Sequence, residues 1–260
     1  MHKPIPINDK IYWVGINDRE TDLFEAHWPL PRGVSYNAYL IDDEKVALVD
    51  TVKSYFQTDY LDKIREIIGH DKKVDYLIIN HMEPDHSGAI KELKEVYSDI
   101  TIVGNKKTMN FLEGFYGVAD NLKVIEDGDT LDLGDHKLKF YLTPMVHWPE
   151  TMMTYDQTDG VLFSGDAFGG FGTLDGGIFD DELDTDFYED ETLRYFANIV
   201  AKYSRMVQRA IKKLGDLEIN IVAATHGPIW RENPGKIIND YMKWSSYGTE
   251  KGVVVVYGSM

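Results

Sequence analysis

Asn80-His81-Met82-Glu83-Pro84-Asp85-His86-Ser87-Gly88 places two histidines and two carboxylates within six residues, directly after the apolar run Tyr76-Leu77-Ile78-Ile79. The apolar run reads as a buried strand. In an extended chain, side chains at i, i+2 and i+4 share a face. His81, Glu83 and Asp85 have that spacing, and His86 adjoins them. Pro84 disfavours helical backbone at Glu83, which supports an extended path. Four metal donors at the end of a strand read as a metal site for more than one ion.

The rest of the composition narrows the class. A chain of 260 residues is long enough for a sizeable core. Its formal net charge of -17 and the absence of a basic face argue against nucleic-acid binding. It has no cysteine, so any metal must be held by nitrogen and oxygen. A cysteine-free chain fits a reducing compartment. The opening Met1-His2-Lys3-Pro4-Ile5-Pro6 lacks the apolar run of a signal peptide, and no window is apolar enough to span a membrane. The expected setting is the cytoplasm, away from membranes.

Strands and helices alternate on both sides of the donor stretch. The patterning predicts strands over 11–14, 36–41, 46–49 and 76–79, and helix over 55–69. Ser87 is the expected N-cap of a helix over 89–97. A strand over 101–103 and a helix over 106–115 follow. Five strands are predicted over 123–125, 130–133, 137–142, 152–155 and 161–164. A long loop over 165–190 leads to a long helix over 191–214, a strand over 219–223, and a last helix from Asn233-Pro234 to about Ser245. The fold class expected is α/β (α+β), with two packed sheets and helices outside: an αββα sandwich.

Three more donors stand at the ends of apolar runs: His147 in Val146-His147-Trp148-Pro149, Asp166 in Ser164-Gly165-Asp166, and His226 in Thr225-His226-Gly227. Alone, a histidine after a strand is usually a satisfied core or surface residue, and Ser-Gly-Asp is usually a turn. In this order after the cluster at 81–86, those ordinary explanations would all have to coincide.

The order His-x-Glu-x-Asp-His, then His147, Asp166 and His226, resembles the metallo-β-lactamase superfamily, whose usual first motif is His-x-His-x-Asp-His. Glu83 stands where the second histidine normally lies. With that change, the chain is similar to the flavodiiron proteins, also called A-type flavoproteins. Added carboxylate oxygen favours harder ions than an imidazole-rich zinc site does. The resemblance implies a metallo-β-lactamase-like sandwich carrying two iron ions in a non-haem diiron site. It gives His81, Glu83 and His147 to one iron, and Asp85, His86 and His226 to the other, with Asp166 bridging. It places His27 in the substrate pocket and Tyr195 as a hydrogen-bond donor near a bound oxygen species. Trp148 either shapes that pocket or packs.

The implied activity is reduction of dioxygen to water, nitric oxide to nitrous oxide, or both. Electrons would come from rubredoxin or a similar donor through FMN, within a head-to-tail homodimer. The ending Gly252-Val253-Val254-Val255-Val256-Tyr257-Gly258-Ser259-Met260 looks like the first strand of a flavodoxin-like domain, running toward an FMN phosphate loop. Residues 1–250 are therefore expected to form the diiron domain and 251–260 the start of a truncated second domain. On this reading the FMN loop is cut off after Met260, so no FMN-binding residue is assigned and no FMN is expected in this piece. The competing reading is a binuclear zinc hydrolase of the same fold. The glycine-rich stretch over 169–177 lacks the Lys-Ser/Thr of a phosphate-binding loop and reads as a pocket lining.

Overall fold

The computed structural model describes residues 3–248, 251–253 and 258. Residues 254–257, in the stretch where the strand of a second domain is expected, lie outside the described residues. So does Met260, after which the FMN loop is expected to be cut off. The strands, in chain order, are β1 (Ile5–Pro6), β2 (Ile11–Trp13), β3 (Ile16–Asp18), β4 (Leu23–Phe24), β5 (Trp28–Pro29), β6 (Val34–Tyr36), β7 (Tyr39–Ile41), β8 (Ala47–Val49), β9 (Tyr76–Ile78), β10 (Thr101–Gly104), β11 (Leu122–Val124), β12 (Thr130–Asp132), β13 (Lys137–Leu142), β14 (Met152–Asp156), β15 (Val161–Gly165) and β16 (Ile221–Ala224). The helices are α1 (Gln57–Ile68), α2 (Pro84–Ser87), α3 (Ile90–Val96), α4 (Lys106–Phe111), α5 (Thr185–Tyr195), α6 (Ser204–Lys213) and α7 (Pro234–Ser245).

One sheet has seven strands in the order β1-β2-β7-β8-β9-β10-β11, and the other has five in the order β12-β13-β14-β15-β16. The strands β7, β8 and β15 are buried on both faces. Period-two alternation sorts them into two layers. Ile41, Val49, Ile78 and Val103 of the first sheet join Phe140, Phe163 and Ala223 of the second in one buried cluster between the sheets. Their neighbours Leu40, Leu48, Leu77 and Ile102, and Met153, Leu162 and Val222, point outward into a second cluster. That outer cluster takes Leu61 and Ile64 of α1, Leu93 of α3, Val207 and Ile211 of α6, and Ile237 of α7. The two sheets with helices on their outer faces make the expected αββα arrangement.

Several local expectations need correction. The extended path ends at Glu83 (φ -58, ψ 143), and Pro84 opens the four-residue α2. Proline excludes helix from the residue before it, but its own fixed φ suits the first helical position. Asp85 therefore sits on a helical turn and does not share a strand face with His81 and Glu83. Ser87 is not a cap: its hydroxyl donates back to the carbonyls of Met82 (3.0 Å) and Glu83 (2.9 Å), and Ala89 holds the N-cap position of α3. The 165–190 loop is shorter than expected, because the Asp184 carboxylate accepts from the Phe187 N–H and starts α5 at Thr185.

The long helix over 191–214 is interrupted by a π turn at Phe196–Val200 and a 3₁₀ turn at Ala201–Tyr203. The widened turn buries the consecutive residues Tyr195 and Phe196 against different neighbours. Tyr195 meets Phe171 (5.0 Å between ring centroids), and Phe196 meets Tyr241 (5.0 Å).

The layer between the sheets should dominate stability. Phe140 is fully buried within it. Phe140→Ala is expected to destabilise the fold by about 3–5 kcal/mol, read as a lowered urea midpoint with an unchanged slope.

Candidate metal centre

The site lies where the carboxyl ends of four strands meet. β13 and β15 both run antiparallel to β14, and β16 runs parallel to β15, so β13, β15 and β16 share one direction. Their ends deliver His147, Asp166 and His226. The end of β9, in the other sheet, delivers His81 through His86.

Asn80 fixes that last delivery across the sandwich. Its backbone N–H donates to Asp50 Oδ1 at 2.8 Å and its side-chain amide to Oδ2 at 3.1 Å, while its own side-chain carbonyl oxygen accepts from the Thr154 hydroxyl at 2.7 Å. The His226 loop is clamped by the turn between β6 and β7. Asn37 donates to the carbonyls of Ala224 and Gly227 at 2.9 Å each, and Ser35 O accepts from His226 Nδ1 at 2.7 Å. Gly227 has φ +71, and a Cβ there would lie 2.9 Å from the Gly170 nitrogen. A side chain would push the His226 loop away from the loop that carries Asp166.

All seven proposed ligands fall into two adjoining groups. His81, Glu83, His147 and Asp166 bring one donor atom each within 4.8 Å of one another, as do Asp85, His86 and His226. Asp166 joins the groups through its two oxygens. Oδ2 lies 2.9 Å from His147 Nε2 and 3.6 Å from His81 Nε2, whereas Oδ1 lies 2.9 Å from His86 Nε2 and 3.8 Å from His226 Nε2. Glu83 Oε2 stands 3.1 Å from His81 Nε2 and 3.0 Å from His147 Nε2. Asp85 faces His86 at 3.4 Å and His226 at 3.3 Å. Donors held about 2.1 Å from one ion at angles of 90–109° are about 3.0–3.4 Å apart. The observed spacing is of that kind.

Unpartnered atoms support the same reading. Among the described residues, both oxygens of Asp85, Nδ1 of His86 and Nε2 of His226 are buried without a hydrogen-bond partner. Buried polar atoms rarely stay unpaired, and a cation between them would satisfy them together. A third group, His136, Asp156 and Asp159, behaves differently. His136 Nδ1 meets Asp156 Oδ2 at 3.1 Å, and the Thr158 and Asp159 N–H groups also donate to that carboxylate. Its partners are already internal, so it ties β13 to β14 as an ion pair.

Burial opposes charge on the imidazoles, but the carboxylates outweigh it: Asp166 and its neighbours push His86 and His147 up to about 9 and hold His81 well above its ordinary value. Burial likewise opposes charge on Glu83, yet hydrogen bonds from His147 and His81 hold it down to about 2. Without metal, the protein neutralises its buried carboxylates with protons on histidine.

Aromatic rings wall the ligands. The rings of Phe24, Tyr36 and Tyr195 lie 5.3, 5.8 and 5.4 Å from the His226 ring. Trp148 lies 5.1 Å from His81. The Tyr195 hydroxyl is buried and unpartnered, and burial raises its pKa well above the usual phenol value, so it stays a donor. His27 is exposed, on the turn between β4 and β5, with Nδ1 2.7 Å from Glu25 O. It lines a pocket of ≈ 210 Å³ with Glu25, Trp28, Glu83, His147 and Asn198. Glu150, not among the ligands expected from sequence, places its Oε1 2.7 Å from His81 Nδ1. Its position two residues after Trp148, in Trp148-Pro149-Glu150, was the only available signal.

Comparison with known proteins agrees with the geometry. A family model described as "ODP family beta lactamase" matches residues 34–227. The anaerobic nitric oxide reductase flavorubredoxin of Salmonella typhi is 40% identical over 261 residues, covering 98% of this chain and 54% of that protein. The crystal structure of the flavodiiron protein from Giardia intestinalis aligns with a TM-score of 0.90 at 31% identity, covering 95% of this chain and 60% of that one. Rubredoxin oxygen:oxidoreductase from Desulfovibrio gigas aligns with a TM-score of 0.90 at 31% identity, covering 94% and 62%. The chain thus spans between about half and two thirds of each of these proteins.

A metal ion needs free lone pairs on imidazole, whereas the metal-free cluster holds protons there below about pH 9. Metal loading at about pH 7.5 is therefore expected to release protons, and apparent affinity is expected to fall as pH drops further. Calorimetry in two buffers of different ionisation enthalpy measures the release. Equal heats in both buffers would contradict this account.

Proposed function

We propose that this chain, which belongs to the ODP family of β-lactamase-fold domains found in flavodiiron proteins, is a diiron oxidoreductase domain that reduces dioxygen, nitric oxide or both. The observation that carries this reading is Asp166, which turns one carboxylate oxygen toward each group of donors. The donor set fits two hard, redox-active ions: four imidazoles and three carboxylates, with no thiolate. His81, Glu83 and His147 would hold one iron and Asp85, His86 and His226 the other, with Asp166 shared. When bound there, two iron ions would supply electrons in pairs to a diatomic molecule.

The protein's own part is positioning and exclusion of water. Aromatic rings cover the ligands on the inner side, and the pocket beside Glu83 and His147 gives a small molecule its approach. His27 stands at the mouth of that pocket. Tyr195, held protonated, keeps an unpartnered hydroxyl on a ring 5.4 Å from that of His226, and its role in this proposal is to donate to oxygen of a bound substrate. Glu83 occupies the place where the hydrolases of this fold carry histidine, and the flavodiiron relatives support the redox reading over zinc hydrolysis.

In this proposal electrons reach the site through FMN from rubredoxin or a similar donor. FMN belongs to a further flavodoxin-like domain, within a head-to-tail homodimer in the cytoplasm. The names of the relatives, a flavorubredoxin and a rubredoxin oxidoreductase, support that partner class. No helix among the described residues is long and apolar enough to cross a membrane.

Anaerobic reconstitution followed by metal analysis tests the reading. One iron is expected for each of the two donor groups, and Asp166→Ala should fail to retain the pair. Tyr195→Phe should keep its iron but slow reoxidation of the reduced protein by about 10²-fold. Preferential uptake of zinc with ester hydrolysis would overturn the proposal.

A further inference from the structure

We propose that Glu150 is a positioning residue that makes the two metal positions unequal. The inference rests on reading the cluster as a metal centre, but not on which substrate it reduces. Glu150 is fully buried, at the close of the loop that carries His147. Its Oε1 accepts from two donors at once: His81 Nδ1 at 2.7 Å and the Met82 backbone N–H at 2.9 Å. Its Oε2 has no hydrogen-bond partner among the described residues. The Asn105 side chain donates to the Glu150 backbone carbonyl and so anchors the segment without touching the carboxylate.

This contact fixes His81. With Nδ1–H committed to Glu150, only Nε2 can face the cluster, where Glu83 and Asp166 stand. A carboxylate on the outer nitrogen also draws the N–H proton toward itself and makes the inner nitrogen a stronger donor. The other histidines lack this support. His226 Nδ1 donates to the neutral carbonyl of Ser35, and His86 Nδ1 has no partner. His147 meets carboxylates only through Nε2, on its inner side. Among the described residues, His81 is therefore the one ligand histidine with a carboxylate behind it.

The consequence is directional. Extra negative charge behind His81 favours positive charge at the position formed by His81, Glu83 and His147. That position should bind its ion more tightly and hold the oxidised state longer. The position formed by Asp85, His86 and His226 should be filled second and reduced first.

Glu150→Gln separates charge from shape, because the amide oxygen can still accept from His81 and Met82. Anaerobic titration of metal-free protein with Co²⁺ against a chromogenic chelator should show one of two binding steps weakened by about 10–100-fold, with the other unchanged. In a His226→Ala background, where only the His81 side is complete, the same substitution should weaken the remaining tight ion. On iron-loaded protein, the gap between the two one-electron potentials should narrow. Glu150→Asp should recover part of both effects, and Asn105→Ala, which disturbs the segment but not the carboxylate, should leave the two steps apart. Equal weakening of both steps in Glu150→Gln, or the same pattern in Asn105→Ala, would overturn the proposal and leave a merely structural role. Unchanged steps in Glu150→Gln would overturn it as well. A wild-type chain that binds no Co²⁺ would sink the metal-centre reading together with this inference.

Discussion

The carboxylate of Asp166 is the constraint on which the site depends. It is buried, and histidines from both donor groups lie within 4 Å of its oxygens. A buried carboxylate is stable only when paired, and Asp166 is shared between two sets of partners. Glu83 and Asp85 add two further buried acids to the same few ångströms. Such a concentration of charge needs compensation from cations or from protons on histidine. The raised histidine pKa values show the metal-free solution, and metal ions would replace it by taking the same lone pairs.

The sandwich supplies rigid supports for that arrangement. β15 delivers Asp166 from beside the edge strand β16, which delivers His226. β9 delivers His81 through His86 from the opposite sheet. The Asp50–Asn80–Thr154 bonds tie the sheets at the level of the ligands, so the cluster does not rely on a metal alone for its geometry. Loops do the final aiming: α2 turns Asp85 and His86 away from His81 and Glu83 and toward His226. One short segment thereby serves both donor groups.

Much of this was legible from residues. Apolar patterning located β8, β9, β13, β15 and β16 to within a residue or two, because a strand buried on both faces, such as β8 or β15, leaves a short, continuous apolar run, and a half-buried one, such as β13, leaves an alternating one. The seven candidate ligands stood out together, because the ordinary use of each would have had to coincide in that order. Less was legible where backbone geometry competes with pattern. The spacing of His81, Glu83 and Asp85 fits a strand, but Pro84 starts a helix, and the next donors turn to the second group. The break after Tyr195 left no mark in helical periodicity, since a π turn keeps apolar residues on the buried side. Ser87 looked like a cap because caps and back-bonding serines have the same composition.

By itself, the sequence determined the layer architecture and the chemical nature of the candidate ligands. Both follow from local properties: which residues avoid water, and which atoms can donate to a metal. Only the tertiary structure decided how those donors divide. It placed the two oxygens of Asp166 on opposite sides, put Ser35 behind His226 and Glu150 behind His81, and left the Tyr195 hydroxyl free. These relations join residues far apart in the chain. Packing of the two sheets brings them within hydrogen-bonding distance, so no local pattern encodes them.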